Sequence, residues 1–273
     1  MSAVPVIAPA PGRVPAGAQM RTFWALCERE LWVTLRHQSV VFLAQALLQP
    51  IFFLFIFGRV LPSIGAASMN FGSLLFPGIM GLTVVLTALQ NIALPLVIEF
   101  SWTKEIEDRL LAPLPVWAVA VQKMFVAALR AILVALLLFP LGYLILPNFA
   151  LHDVNWLVLV AILVLGSSAA AAMGLVLGTA VPPQQINFMF AIVLTPLIMT
   201  GAAYYPWGTL SHLQWFQAVT LLNPMTYASE GLRSALTPSV PHMEPLIVFL
   251  GLGVSLVGFG TIGIRGFLRR AVD

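Results

Sequence analysis

The stretch NWLVLVAILVLGSSAAAAMGLVLGTA, residues 155–180, decides the fold. It contains no charged side chain, and a helix of this length, rising about 1.5 Å per residue, crosses the roughly 30 Å of hydrocarbon in a bilayer. The stretch belongs to a longer interval, from Val154 to Ser229, that has no Asp, Glu, Lys or Arg. This pattern predicts an all-α integral membrane protein.

The composition of the whole chain favours the same fold class. Of its 273 residues, 60% are hydrophobic and only 8% are charged, whereas about a quarter of the residues in a soluble domain are charged. The net charge of +3 is too small for a nucleic-acid-binding surface. The single cysteine, Cys27, excludes internal disulfides and multi-cysteine metal sites.

Charged residues and helix-breaking clusters divide residues 39–264 into six predicted transmembrane helices. The predicted spans cover residues 39–58, 71–98, 124–146, 155–180, 188–204 and 245–264. The cluster PPQQIN, residues 182–187, separates the fourth span from the fifth. Residues 205–240, between spans five and six, are apolar but broken by prolines. They are predicted to form either re-entrant helices in the outer leaflet or a helical cap on the membrane surface.

The two ends of the chain are predicted to lie in the cytoplasm. Residues 1–20 contain four prolines and are expected to be a disordered tail. Residues 21–38 interleave charged and aromatic side chains, which is typical of an amphipathic helix on the membrane surface; a plain extension of the first span is the alternative. Residues 265–273 form a second cytoplasmic tail.

The basic residues predict the orientation, because Lys and Arg are retained on the cytoplasmic side of a membrane. With the amino terminus inside, only Arg59 and Arg233 flank spans on the outside, and Arg130 lies within the third span. The inner segments then hold the other ten: Arg13, Arg21, Arg29, Arg36, Lys104, Arg109, Lys123, Arg265, Arg269 and Arg270.

Several catalytic and cofactor-binding motifs are missing from the sequence. Neither lysine is followed by Ser or Thr, which excludes a nucleotide-binding phosphate loop. The four histidines are scattered singly, so no metal or cofactor is expected to bind this chain. No pair of carboxylates lies deep in a predicted span, which disfavours a proton-driven carrier.

Acidic residues are concentrated in the predicted inner loop, residues 99–123. Glu99, Glu105, Glu107 and Asp108 stand there beside Lys104 and Arg109, and Pro113 and Pro115 follow. A short charged helix ended by a rigid turn is suited to docking on a soluble partner, whose basic groups would pair with the carboxylates. An ordinary solvated connection between two spans is the alternative.

Polar and small residues inside the predicted spans indicate two further features. Gln45 and Gln49 share one face of the first span, and Gln90 and Asn91 lie within the second, so these amides face either a transport pathway or a hydrogen-bonding helix. Arg130 is expected to extend to the inner surface or to pair with Glu99. A ridge of small residues on the fourth span predicts close helix packing: Ala170, Gly174 and Gly178.

Three segments resemble ABC-2-type transporter permeases. EIEDRLLAPLPVWAVAVQK, residues 105–123, is similar to the loop after that family's second span, with Glu107, Leu110, Leu111 and then Lys123 in place. One difference is Ile106, where the family commonly has Gly-Thr before the glutamate. AAYYPW, residues 202–207, and LLNPMTYASEGLRSAL, residues 221–236, resemble the family's external segment. The similarity extends over about residues 21–270.

The resemblance implies the membrane subunit of an ATP-driven exporter in a bacterial cytoplasmic membrane. Two such subunits, identical or related, would work with two copies of a separate ATPase that holds ATP and Mg²⁺, and this chain would not itself be an enzyme. The cargo would be a lipid, a glycan or glycolipid, or an amphiphilic drug. The alternatives are a membrane enzyme acting on lipid-linked substrates, and a passive channel or assembly scaffold.

The resemblance also assigns roles to residues. The ATPase-coupling interface would comprise Glu99, Lys104, Glu105, Glu107, Asp108, Arg109, Leu110 and Leu111. The candidates for the substrate pathway are Gln45, Gln49, Gln90, Asn91, Tyr204, Tyr205 and Trp207. Neither the sequence nor the resemblance distinguishes a continuous channel from alternating access.

Overall fold

A computed structural model describes residues 15–68, 71–100, 114–147, 149 and 153–272 of the chain, apart from the side chains of residues 186, 187 and 272. Within these ranges the secondary structure is helical, without strands. The α-helices are α1 (Ala16–His37), α2 (Ser39–Phe55), α3 (Phe71–Ile98), α4 (Val116–Ile145), α5 (Trp156–Ala180), α6 (Ile186–Thr200), α7 (Gln214–Thr220), α8 (Pro224–Leu236) and α9 (Pro245–Val272). The predicted all-α fold class is confirmed for the described residues.

Among the described residues, five helices are long and apolar enough to cross a membrane. They are α2 with its continuation to Ser63, α3, α4, α5 and α9; α2 continues through a π-helical turn, Ile56–Val60. The prediction of six spans is therefore confirmed only for five. The remaining segment forms α6, whose 15 residues extend for about 22 Å, less than the thickness of the hydrocarbon core.

Local sequence explains where several helices begin. Pro15 and Pro115 are extended and precede the first residues of α1 and α4. The side chain of Asn155 accepts a hydrogen bond from the backbone N–H of Val158 at the start of α5, and Asn223 caps α8 in the same way. Because Pro115 starts α4, this helix begins at Val116 and not at the predicted residue 124.

The core of the bundle is formed by α5, which packs on α3, α4 and α9. Gly174 and Gly178 allow α5 to approach α3 closely: a Cβ on Gly174 would lie 2.6 Å from the carbonyl oxygen of Leu89, and one on Gly178 would lie 3.0 Å from the Leu96 side chain. Ala170, one turn before Gly174, is fully buried on the same helix. The small-residue ridge thus lies against α3.

Hydrogen bonds at the two ends of the bundle align the helix termini. At one end, Arg59 Nε donates to the carbonyl oxygen of Ile145, 2.6 Å away, which connects the end of α2 to the end of α4. At the other end, Arg270 Nη1 donates to the carbonyl oxygen of Gly178, 3.1 Å away, at the last turn of α5. Thus α2 and α4 end together on one face of the bundle, and α5 and α9 end together on the other.

The short helix α8 is buried within the bundle. It packs on α3, α5 and α9, and Asn155 donates its backbone N–H to the Ala235 carbonyl at the bundle end. Gly81 lies about 15 Å along α3 from its first residue, and a Cβ there would be 2.8 Å from the Ser229 hydroxyl of α8. The helix α8 therefore extends from the bundle end to about the middle of α3.

Candidate functional site

A cavity with a volume of about 820 Å³ lies between α2 and α3. Its walls come from the end of α1, the first part of α2 and the middle of α3, and Arg130 of α4 also contributes. More than half of its lining residues are polar: Thr34, His37, Gln38, Gln45, Gln49, Thr83, Thr87, Gln90, Asn91 and Arg130. The four amides predicted in spans one and two, Gln45, Gln49, Gln90 and Asn91, are thus brought together.

Helical periodicity places these polar groups in two facing rows. Gln45 and Gln49 are four residues apart on α2, and Thr83, Thr87 and Asn91 are at intervals of four on α3. The Thr83 hydroxyl donates to the Ile79 carbonyl, and the Asn91 Nδ2 donates to the Thr87 carbonyl, both at 2.8 Å. Local hydrogen bonds within α3 therefore satisfy part of this polar lining.

Arg130 connects the cavity to the amino-terminal helix. Its Nη2 donates to the Glu30 carbonyl oxygen of α1 at 3.1 Å, and its Nη1 lies 3.5 Å from the Asn91 side-chain oxygen. The sequence predicted that this guanidinium extends to the inner surface or pairs with Glu99. In the structure it lines the cavity and joins α4 to α1 and α3.

A buried ion-pair cluster surrounds Lys123 of α4 and joins this helix to α1 and to the end of α3. The Lys123 Nζ is 2.6 Å from one carboxylate oxygen of Glu99, and 3.7 Å from the Glu30 carboxylate of α1. Lys123 and Glu99 are both buried. The sequence predicts Lys123 as part of the inner loop and predicts no role for Glu30. The only sequence signal for the pair of Glu99 and Lys123 is their position, directly after the predicted second span and directly before the predicted third span.

Most of the predicted coupling residues lie outside the described structure. Glu99 is described and stands at the end of α3, where it pairs with Lys123. The other seven, which are Lys104, Glu105, Glu107, Asp108, Arg109, Leu110 and Leu111, fall in the range 101–113, outside the described residues. Their role stays a prediction.

The aromatic pathway candidates lie away from the cavity. Tyr204 contacts Phe53 of α2, with ring centroids 5.4 Å apart. The Tyr205 hydroxyl donates to the Met199 carbonyl at the end of α6, and the Trp207 Nε1 donates to the Gln217 carbonyl. None of the three lines the cavity.

A second buried ion pair holds α8 in place. Glu230 and Arg233 are 0% and 1% exposed, and the Arg233 guanidinium donates to the Glu230 carboxylate. The same carboxylate accepts hydrogen bonds from the backbone N–H groups of Trp207 and Met243, each at 2.8 Å. Sequence reasoning gave neither residue this role, although a Glu and an Arg three apart in an apolar stretch suggest such a pair.

The described residues contain no group of three or more His, Cys, Asp or Glu side chains that could hold a metal ion. Cys27 is buried where α1 meets α4, and burial raises the pKa of its thiol to about 11. It is therefore protonated at neutral pH.

The site is a polar cavity with hydrogen-bonding groups and one guanidinium, suited to binding a polar group within the bundle.

The sequence of the chain matches a known protein family. The family model described as ABC-2 type transporter matches residues 21–237, well over half of the chain. No match was found among curated proteins. The matched range includes the cavity, the buried cluster at Lys123 and all of α8. The chain therefore belongs to the ABC-2 type transporter family, whose members are transport permeases.

Proposed function

We propose that this chain is the membrane subunit of an ATP-driven exporter in a bacterial cytoplasmic membrane, with both termini in the cytoplasm. The observation that carries the proposal is the polar cavity between α2 and α3, in a chain of a permease family. A polar cavity among apolar helices gives a hydrophilic group a path through the bilayer. The cargo is a lipid, a glycan or glycolipid, or an amphiphilic drug.

The energy comes from a separate ATPase subunit that binds the loop after α3 and holds ATP and Mg²⁺. Glu99 begins this loop, and its ion pair with Lys123 connects the loop to α4 and, through Glu30, to α1. A movement of the loop is therefore passed to the two helices that border the cavity at Arg130 and Thr34. The carboxylates of Glu105, Glu107 and Asp108 are suited to pair with basic groups of the ATPase.

Two such subunits, identical or related, form the transporter, with the cargo pathway at their interface. The face of α2 beside the cavity exposes large apolar side chains, including Val41, Leu48 and Phe52. Such a face is buried either by lipid or by a second subunit. If α2 lies at this interface, the second subunit closes the open side of the cavity.

The sixth crossing is made by α6 and α8 together. The Nδ2 of Asn223, at the start of α8, donates to the Leu197 carbonyl near the end of α6, 2.8 Å away. One helix thus begins in the interior where the other ends, and their combined length exceeds the hydrocarbon thickness. On this proposal α8 is a re-entrant helix in the outer leaflet, and α1 lies on the inner surface.

Copurification tests the proposed function. The full chain, expressed with the ATPase encoded nearest to it, should recover that ATPase, and reconstituted vesicles should hydrolyse ATP faster than the ATPase alone. Glu107→Arg should weaken the association or abolish the stimulation while the membrane subunit still folds. Glu244→Arg, which reverses an exposed charge before α9, is the matched control. ATPase recovery and stimulation that are unchanged by Glu107→Arg would contradict the coupling assignment.

A further inference from the structure

Aromatic rings lie between the cavity and the end of the bundle that carries Arg59, and their role is inferred on the basis of the proposed transport function. Among the described lining residues, Pro50 of α2 and Leu82 of α3 lie nearest to that end. Phe53 follows Pro50 by about one turn of α2, and Phe57 follows it by about two. A group that moved from the cavity toward this end along α2 would therefore meet these rings first.

Four rings, which we call the aromatic cluster, contact one another across three parts of the chain. The Phe53 and Phe57 rings of α2 are stacked, with centroids 5.9 Å apart. The Tyr204 ring, in the turn after α6, lies 5.4 Å from Phe53 and 6.3 Å from Phe57. The Phe71 ring, at the start of α3, lies 6.2 Å from Phe57. These are the separations of rings in contact, so the cluster fills the space between the three segments.

Two of the four rings stand on rigid parts of the structure. Phe71 begins α3, most of which is buried. Tyr204 belongs to a turn that is held on two sides. Arg233 donates to the Ala202 carbonyl of this turn, 3.2 Å away, and Gly78 of α3 packs directly against it, because a Cβ there would overlap the backbone of the turn.

The other two rings, Phe53 and Phe57, stand on a helix that is less firmly packed. Among the described helices that could cross a membrane, α2 is the least buried. Its hydrogen bonding is irregular on both sides of Phe53: Pro50 has no N–H to donate within the helix, and Ile56–Val60 forms a π-helical turn. Such turns are rare and are frequent at functional sites. The segment between these two irregular points is therefore suited to rotate separately from the rest of α2.

We propose that the aromatic cluster is a gate at the external end of the cavity, closed in this structure, and that rotation of α2 between Pro50 and the π-helical turn opens it. Largely apolar rings in contact exclude water and ions. At its opposite end the cavity is lined by His37 and Gln38, which are both exposed. The closed gate thus prevents leakage through a cavity that is open toward the cytoplasm.

Access to an introduced cysteine from outside the cell tests the gate. Ala46 lines the cavity and is half-buried, so Ala46→Cys in a Cys27→Ala background places a thiol there and keeps every ring. In intact cells depleted of ATP, a membrane-impermeant maleimide should label this thiol at close to the background rate, and after lysis it should label it readily. Phe53→Ala with Tyr204→Ala should raise the rate in intact cells to most of the rate measured after lysis.

Three control variants separate the gate from general effects. Phe139 and Phe149 contact the Phe76 ring, at 5.8 and 4.6 Å, in a separate group of rings. Phe139→Ala with Phe149→Ala removes two rings there and should leave the labelling of Ala46→Cys in intact cells unchanged. Tyr204→Phe, which keeps the ring, should also leave it unchanged. Ser211→Cys, on an exposed turn outside the cavity, should react in intact cells with or without the cluster.

Each other outcome of the labelling experiment overturns the proposal. Rapid labelling of Ala46→Cys in intact cells of the parent would show that the cluster does not close the cavity. Slow labelling in Phe53→Ala with Tyr204→Ala would show that other residues form the seal. An equal increase in the control without Phe139 and Phe149 would assign the effect to a loosened bundle. If the double variant fails to fold, Phe53→Ala and Tyr204→Ala are compared singly, and slow labelling in both would contradict the gate.

The failure of this inference differs from the failure of the proposed function. A chain that recovers and stimulates its ATPase, but labels Ala46→Cys equally in the parent and in the ring variants, contradicts only the gate. A chain whose ring variants expose Ala46→Cys to the outside, but which recovers no ATPase, contradicts only the ATP-driven transport.

Discussion

Two charged side chains in the apolar interior show what holds the segment between α6 and α9. Glu230 accepts hydrogen bonds from Arg233 and from two backbone N–H groups, at Trp207 and Met243. Arg233 also donates to the Ala202 carbonyl, 3.2 Å away. The pair thus connects α8 to the chain on both sides of it. Removing one partner of such a buried pair leaves an uncompensated charge.

The Glu230→Ala variant should therefore destabilise the protein by about 3 to 5 kcal/mol. The loss includes the unpaired Arg233 guanidinium and the two N–H groups that lose their acceptor. Thermal unfolding in detergent, followed by tryptophan fluorescence, measures the effect. Glu244→Ala, at an exposed position near α9, should unfold at the parent temperature. Equal unfolding temperatures for the two variants would show that the buried pair contributes little.

The only cysteine provides a second prediction at this scale. Burial raises the pKa of the Cys27 thiol to about 11, so the native chain should not react with a maleimide at pH 7.5 and should react once denatured in SDS. Intact mass spectrometry before and after denaturation measures this. As the pH rises, the thiol of the native state stays protonated up to a higher pH than the thiol of the unfolded chain, whose pKa is near 9. Stability should therefore fall between about pH 9 and pH 11 in the parent relative to Cys27→Ala. Full labelling of the native chain at pH 7.5 would contradict the burial of Cys27.

Individual residues also show how far the sequence predicts the candidate site. Gln45, Gln49, Gln90 and Asn91 could be predicted because an amide in an apolar helix needs a polar neighbour, and helical spacing gives its face. The cluster of Glu30, Glu99 and Lys123 could not, because it joins three helices whose relative positions are set by packing.

At the scale of elements, length and hydropathy predicted the long helices but not how each one ends. The sequence predicts a third span that begins at residue 124, directly after the charged Lys123, yet the ion pair with Glu99 allows Lys123 to be buried within α4. The predicted fifth span is the shorter helix α6, because α8 occupies part of the bundle beyond it. Hydropathy measures one segment at a time and does not report such a neighbour.

The contact between α5 and α3 gives a prediction for a whole element. Gly174→Leu should force the two helices apart, because a side chain there meets the backbone of Leu89. We expect a destabilisation of at least about 1 to 3 kcal/mol, the usual cost of overpacking. Gly253→Leu is the matched control, since nothing lies within 4 Å of a Cβ at that position of α9. The unfolding temperatures of the two variants, measured in detergent, test this expectation: Gly174→Leu should unfold at a lower temperature than Gly253→Leu. A Gly174→Leu chain as stable as Gly253→Leu would show that close packing of α5 on α3 is not needed.

At the scale of the whole molecule, the charges and the fold together define two sides. The arginine contacts at the two bundle ends show which helix termini share a face. The sequence predicts which face is inside, because ten of the thirteen basic residues then flank the spans on the cytoplasmic side. The fold shows which helix ends lie together, and the charge distribution predicts which of the two ends of the bundle faces the cytoplasm.

A cysteine-labelling experiment in intact cells tests this orientation. Ser211 is exposed on the turn Trp207–His212 and is assigned to the outside, and Gly17, exposed near the start of α1, is assigned to the cytoplasm. In a Cys27→Ala background, Ser211→Cys should react with a membrane-impermeant maleimide in intact cells, because its turn is predicted to face the external solution. Gly17→Cys should react only after the cells are lysed. The reverse pattern would invert the topology and place the acidic loop where no ATPase can reach it, which would refute both the coupling assignment and the ATP-driven export built on it.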